Sequence, residues 1–67
     1  MARLKEYVVL YREPEAPPAD PPFAFECLAE DNDHAEEQCL NAYPDATVSW
    51  VYEGGDSEDA YEDYYAW

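Results

Sequence analysis

The N-terminal part of the chain carries apolar residues at both alternating sets of positions. In RLKEYVVLYR (residues 3–12), one parity holds Leu4, Val8 and Leu10, and the other holds two tyrosines and Val9. Successive side chains of a strand point to opposite faces, and β-branched and aromatic residues are enriched in strands. The pattern predicts a strand that is buried on both sides and therefore lies at the centre of a sheet.

Five prolines follow within EPEAPPADPP (13–22). Proline cannot donate to a strand ladder and pushes the preceding residue toward extended geometry. We therefore expect a stiff hairpin loop, which serves as a spacer more readily than as a binding loop. FAFECLA (23–29) is the predicted second strand, because Phe23, Phe25 and Cys27 alternate with less apolar positions.

The segment EDNDHAEEQCLNAYP carries signals for both ends of a helix over residues 31–42. Asp31 is the preferred N-cap, and Asp33 is the alternative, since it would form a capping box with Glu36. Acidic residues in the first turns suit the helix dipole, and Pro44 ends the helix. Small residues three and four positions apart form a narrow stripe that can lie close to a sheet: Ala35, Cys39 and Ala42.

ATVSWVY (46–52) is the predicted third strand, with Val48, Trp50 and Tyr52 on one face. Two consecutive glycines then interrupt the pattern before an acidic and aromatic tail (56–67).

This tail is predicted to be a short amphipathic helix, capped by Asp56 or Ser57, or an ordered extended segment. Its acidic residues would remain in solvent, while its aromatic residues dock on the domain and enlarge the core: Tyr61, Tyr64, Tyr65 and Trp67.

These elements predict an α+β fold in one small domain. We expect a three-stranded antiparallel sheet in the order β-β-α-β, with one helix on a face and a C-terminal acidic-aromatic helix or ordered tail. A chain of 67 residues buries only about 60% of its unfolded surface. A deep active site with supporting side chains is therefore not expected.

The charge of the chain changes the functional interpretation. Seventeen acidic residues face three basic ones, giving a formal net charge of −14, although 48% of the residues are apolar. Carboxylates three and four positions apart on a helix lie about 5–6 Å apart, a spacing comparable with that of DNA phosphates. Two acidic clusters therefore predict binding to a Lys/Arg-rich surface rather than solubility alone: Glu30, Asp31, Asp33, Glu36 and Glu37, and Asp56, Glu58, Asp59, Glu62 and Asp63.

The residue types needed for catalysis or metal binding lack the usual spacing. Cys27, His34 and Cys39 include no CxxC pair and no second histidine, so a zinc site is not expected. EDNDHAEE lacks the glycine and the ligand spacing of an EF-hand. No cofactor is predicted.

The cysteines and the histidine are interpreted as structural residues. Neighbouring acids disfavour a thiolate at Cys39, and reduced thiols are favoured over a bridge to Cys27. Acids around His34 favour its protonated form, and no nucleophile accompanies it. With no phosphate-binding glycine loop either, we expect the protein not to be an enzyme.

The N-terminus, MARLKEYVVLY, resembles no signal peptide, and no stretch approaches the roughly 18 apolar residues of a membrane span. We expect a cytoplasmic protein.

In size, charge and order of elements, the chain resembles the small acidic anti-CRISPR proteins of phages and prophages that mimic DNA. The stretch FECLAEDNDHAEEQCLNAYP shows the texture of this class within a very short acidic chain. The resemblance implies inhibition of a type I CRISPR surveillance complex in the host bacterial cytoplasm. The partner would be a Lys/Arg-rich protein surface, with no direct nucleic-acid or membrane contact, and the inhibitor would be a monomer or weak dimer. Alternatives are a DNA mimic directed at another DNA-binding protein or enzyme, and a small acidic protein-interaction adaptor.

Overall fold

The computed structural model describes residues 3–17 and 19–66. Within them lie three strands and two helices: β1 (Lys5–Arg12), β2 (Phe23–Ala29), α1 (Asn32–Ala42), β3 (Thr47–Glu53) and α2 (Ser57–Tyr65). The strands form an antiparallel sheet in the order β2-β1-β3. The predicted α+β fold with a central first strand is confirmed, and the acidic-aromatic tail forms a helix.

One face of the sheet packs against α1. Tyr7, Val9 and Tyr11 point to this face, where they form a buried cluster with Ala35 and Cys39 of the helix. The two helical residues are fully buried, as expected for a stripe of small side chains that lets a helix approach a sheet closely.

The opposite face packs against α2. Val8 and Leu10 point to this face and form a second buried cluster with Ala60 of α2. Because alternate residues of β1 contribute to the two clusters, the helices lie on opposite faces of the sheet. The fold is therefore a helix–sheet–helix arrangement, and its central strand supplies core residues to both layers.

A β-bulge in β3 changes the face of the sheet to which one residue points. Leu10 pairs with Trp50, but Tyr11 pairs with Val48, so Ser49 is the extra residue opposite β1. Val48 consequently packs on the α1 side, whereas Trp50 packs on the α2 side with Tyr52. The prediction of one common face was wrong for Val48, because an inserted residue reverses the alternation on which it depended.

Helix α1 begins at a capping side chain and ends just before a proline. The carboxylate of the N-cap, Asp31, accepts a hydrogen bond from the backbone N–H of His34 at 2.8 Å. Such caps contribute about 0.5–2 kcal/mol. The N–H of Tyr43 bonds to the carbonyl of Cys39, and the helix ends before Pro44. The preferred N-cap is confirmed, and Asp33 lies inside the first turn.

A tight connection joins β3 to α2. The N–H of Gly54 donates to the carbonyl of Glu6 at 2.9 Å. A Cβ atom at Gly54 would lie 2.5 Å from Cε2 of Tyr52, so glycine permits the close approach. Asp56 caps α2 by accepting from the N–H of Glu58 at 2.9 Å.

The proline-rich loop is held by contacts with the end of β1 and with α2. Pro22 is fully buried, and its carbonyl accepts a hydrogen bond from the hydroxyl of Tyr61. The guanidinium of Arg12 donates to the carbonyl of Asp20. Neither of the helices in the described part of the chain is long and apolar enough to cross a membrane.

Candidate functional site

The ten predicted binding carboxylates lie on two separate surfaces. The α1 acidic surface contains Glu30, Asp31, Asp33, Glu36 and Glu37. The α2 acidic surface contains Asp56, Glu58, Asp59, Glu62 and Asp63. Since α1 and α2 cover opposite faces of the sheet, the fold presents the two clusters in different directions, which the linear sequence did not show.

The α1 acidic surface is continuous along the solvent side of its helix. One shallow cavity of about 370 Å³ is lined by Glu30, Asp31, Asp33 and Glu37 together with His34. A neighbouring cavity of about 360 Å³ shares Asp33 and Glu37 and adds three further residues: Glu36, Leu40 and Asn41. The surface is therefore open and predominantly anionic.

His34 links the start of α1 to the end of β2. Its Nδ1 accepts a hydrogen bond from the N–H of Glu30 at 3.0 Å, and its Nε2 lies 3.4 Å from Nε2 of Gln38. Gln38 in turn donates to the carbonyl of Leu28 at 2.6 Å. These contacts connect the first turns of α1 to the end of β2. The histidine has a structural position.

The α2 acidic surface lies beside β3. A cavity of about 390 Å³ is lined by Tyr52, Asp59, Glu62, Asp63 and Ala66. Desolvation raises the pKa of the Tyr52 phenol, and the surrounding carboxylates of α2 raise it further. The α2 acids therefore produce a negative potential at one point of the sheet.

Three of the ten carboxylates also stabilise the fold. Asp31 and Asp56 are the helix caps, and Asp63 accepts a hydrogen bond from Nε1 of Trp50 at 2.8 Å. The other seven have no hydrogen bond or ion pair to residues 3–17 or 19–66: Glu30, Asp33, Glu36, Glu37, Glu58, Asp59 and Glu62.

Basic residues compensate little of this charge. In the described part of the chain, the one ion pair joins Lys5 Nζ to Glu53 Oε1 at 3.4 Å, and both side chains are more than half exposed. Exposed pairs of this kind contribute about 0–1 kcal/mol. Arg12 is bonded to a backbone carbonyl. Both acidic surfaces thus retain their charge for a cationic partner.

The aromatic residues of α2 differ in exposure. Tyr61 and Tyr64 are half-buried against the sheet cluster that contains Ala60. Tyr65 is 60% exposed and stacks against Tyr61, with ring centroids 6.4 Å apart. The sequence predicted docking for all the tail rings, but the prediction was wrong for Tyr65 because the buried helix stripe centres on Ala60. Trp67 lies outside the described residues.

Exposure also decides which tyrosines could anchor a partner, a role in which tyrosine is enriched at binding hot spots. Tyr11 is only 6% exposed, so it is a core residue, and Tyr64 is half-buried. Tyr65 has the accessible ring.

The remaining candidate chemistry does not form a site. Cys27 and Cys39 are free thiols, and burial raises the pKa of both, which disfavours the nucleophilic thiolate. No three or more His, Cys, Asp or Glu side chains within residues 3–17 and 19–66 are grouped to hold a metal ion.

Sequence reasoning missed an aromatic cluster beside the end of α1. The rings of Tyr43 and Tyr11 stack with centroids 4.8 Å apart, and Phe25 meets Tyr43 edge-on at 6.1 Å. Tyr43 is 40% exposed. Its position at the helix C-cap was visible in the sequence, but its neighbours belong to two different strands.

No family model, curated protein or solved structure matches the chain.

Proposed function

We propose that this protein is a non-enzymatic inhibitor that occupies the DNA-binding surface of another protein by presenting DNA-like negative charge. The observation that supports the proposal is the set of seven carboxylates, on two helices, that have no hydrogen bond or ion pair in the described part of the chain. A net charge of −14 on 67 residues opposes folding through self-repulsion. A basic partner would relieve that repulsion.

The binding energy would come from many modest contacts. Charged groups that complement each other across an interface steer association and determine its register. Hydrogen bonds to charged groups contribute about 1.5–3 kcal/mol when desolvated, whereas exposed rim pairs contribute less than about 1 kcal/mol. Single substitutions should therefore have small effects, and several neighbouring substitutions should have large ones.

The arrangement of the helices favours a cleft over a flat surface as the binding site. A flat basic surface reaches one acidic surface at a time, because the sheet separates α1 from α2. A basic channel that normally encloses nucleic acid can contact both sides of the protein. The sheet would then be a rigid spacer between two rows of carboxylates.

The resemblance to DNA-mimicking anti-CRISPR proteins suggests the target. We propose a type I CRISPR surveillance complex, which must hold its target DNA on Lys/Arg-rich surfaces, in the host bacterial cytoplasm. The inhibitor would act as a monomer or weak dimer on the protein itself, without binding nucleic acid or membrane. The same charge chemistry would suit another DNA-binding protein or enzyme, which is the principal alternative target.

A protein-interaction adaptor is the second candidate function. Tyr65 is 60% exposed at the end of α2, and tyrosine is enriched at binding hot spots. If this ring is the main anchor, Tyr65→Ala would weaken binding more than neutralisation of either acidic surface does.

The test uses two triple variants that remove the same number of charges. Asp33→Asn/Glu36→Gln/Glu37→Gln neutralises the α1 acidic surface and leaves its cap, Asp31, intact. Glu15→Gln/Asp20→Asn/Glu26→Gln removes three exposed charges elsewhere. In competition between duplex DNA and the protein for the surveillance complex, the first variant should lose roughly 10- to 1000-fold in affinity.

The control variant should lose less than about tenfold, because only general attraction is reduced. Equal inhibition by the parent and both folded variants would contradict mimicry. Equal losses in the two variants would mean that net charge, rather than the α1 acidic surface, determines binding.

A further inference from the structure

A further groove lined by carboxylates lies at the C-terminal end of α1. A cavity of about 260 Å³ separates the residues after β1 from the loop between α1 and β3, and we call it the Tyr43 groove. It is lined by two carboxylates, an aromatic residue and two prolines: Glu13, Asp45, Tyr43, Pro14 and Pro44. It shares no residue with the two acidic surfaces.

The ring of Tyr43 is held in position from several directions. Its backbone N–H bonds to Cys39 at 2.9 Å, and its carbonyl accepts from the N–H of Ala46 at 3.0 Å. The ring stacks on Tyr11, with an interplanar angle of 17°, and 40% of Tyr43 remains exposed. The groove therefore contains a fixed aromatic surface.

The carboxylates of the groove are available to a cation. Glu13 and Asp45 are exposed, and neither has an ion pair or side-chain hydrogen bond within the described residues. Arg12 is adjacent to Glu13 in sequence, but its guanidinium bonds to the carbonyl of Asp20. Prolines on both sides limit the backbone movement of the groove.

We propose that the Tyr43 groove binds one arginine side chain of a basic partner protein. A guanidinium is planar, stacks on aromatic rings and pairs with carboxylates in a fixed geometry, whereas lysine is a compact, strongly hydrated charge. The volume of the groove is below the roughly 300–1,000 Å³ of small-molecule pockets, which suits a single side chain. This inference rests on the proposed function in one respect, because both assume that the partner protein is basic.

A second cavity of the protein provides a comparison, in which the contribution of an aromatic ring can be distinguished from that of charge alone. This cavity, of about 290 Å³, also contains two carboxylates, Glu6 and Glu26, but its accessible apolar side chain is Leu28. If charge alone selects the ligand, both cavities should bind arginine equally well. If the fixed ring contributes, the Tyr43 groove should bind it more tightly.

The experiment follows backbone amide NMR signals of the full chain during titration with N-acetyl-arginine methylamide or its lysine counterpart. Saturable shifts should concentrate at residues 13, 43, 45 and 46, with arginine binding roughly 2- to 5-fold more tightly than lysine. Shifts of equal size around Glu6 and Glu26, or equal affinities for the two compounds, would overturn the proposal.

Two variants test the groove, and each has a matched control. Tyr43→Leu should remove the preference for arginine, whereas Tyr65→Leu, which removes another exposed ring, should retain it. Should Tyr43→Leu unfold, Glu13→Gln/Asp45→Asn tests the same groove by changing two exposed side chains, and it should abolish the saturable shifts. Its control, Glu6→Gln/Glu26→Gln, should preserve them. Binding that survives Glu13→Gln/Asp45→Asn would also contradict the site.

The α1 triple variant distinguishes this inference from the proposed function. The Debye length is about 8 Å at physiological salt, so Asp33→Asn/Glu36→Gln/Glu37→Gln should change arginine affinity less than about twofold. Loss of DNA competition with retained arginine binding would support both proposals. Retained DNA competition with retained arginine binding would contradict mimicry and leave the groove supported.

Discussion

Individual acidic residues in this protein have two different uses. Asp31 and Asp56 cap helices, and Asp63 holds the indole of Trp50, so these three contribute to folding as well as to surface charge. A lost cap costs about 0.5–2 kcal/mol. Binding experiments should therefore neutralise the acids that have no such bonds, for example Glu58, Asp59 and Glu62 on the α2 acidic surface.

The phenol of Tyr11 should make the fold sensitive to alkali. Burial, together with a smaller contribution from a side-chain hydrogen bond with Tyr43, raises its pKa to about 12. An unfolded tyrosine titrates near pH 10, so between about pH 10 and 12 the folded state holds a proton that the unfolded chain has lost. The contribution of Tyr11 is complete below about pH 10, and the free energy of unfolding falls as pH rises toward 12.

Tyr11→Phe should flatten that decline, since phenylalanine has no proton to lose. Urea midpoints at pH 8, 10 and 11 would measure it, with Tyr65→Phe at an exposed ring as the control. A decline as steep in Tyr11→Phe as in the parent would exclude Tyr11 as a source of alkaline instability.

At the level of secondary structure, local sequence signals predicted where the strands and helices lie. They did not predict which face of the sheet some residues and α2 pack on. Strand β1 was recognisable as central because both parities are apolar, and Asp31 and Pro44 marked the ends of α1. The β3 bulge at Ser49 has no Gly or Pro signal. The side of the sheet on which α2 packs depends on Val8 and Leu10, which are distant in sequence, so the separation of the acidic surfaces could not be predicted.

Helix α2 should be required for stability. It covers Val8 and Leu10 of the central strand, and exposing one fully buried side chain of this size costs about 1.5–3 kcal/mol. A chain ending at Glu53 should therefore have a lower free energy of unfolding in urea. Truncation also removes five acids of the tail, and relief of their repulsion partly offsets the loss.

Ala60→Gln provides a version of this test without a charge change, since Ala60 is fully buried and glutamine cannot fit without displacing α2. Ala66→Gln, at an exposed position, is the control. If the truncated chain and Ala60→Gln both unfold at the parent's urea midpoint, α2 does not stabilise the sheet.

At the scale of the whole molecule, repulsion between negative charges opposes the folding of a domain that has only a small core. Fourteen uncompensated negative charges surround a domain with a limited buried surface. Salt screens exposed charges, with a Debye length of about 10 Å at 0.1 M, so the melting temperature should rise from low salt to 0.2 M NaCl. The variant Glu15→Gln/Asp20→Asn/Glu26→Gln should show a smaller rise. A melting temperature that stays constant or falls would argue against a predominantly repulsive surface.

The central claim is that this protein and DNA occupy the same basic surface. The most direct measurement is the affinity of the protein for a type I surveillance complex, with and without target duplex already bound. DNA mimicry predicts mutually exclusive binding: the apparent dissociation constant of the protein should increase linearly with the DNA concentration, and no ternary complex should form. A ternary complex with unchanged affinity for the protein would contradict the claim for this target.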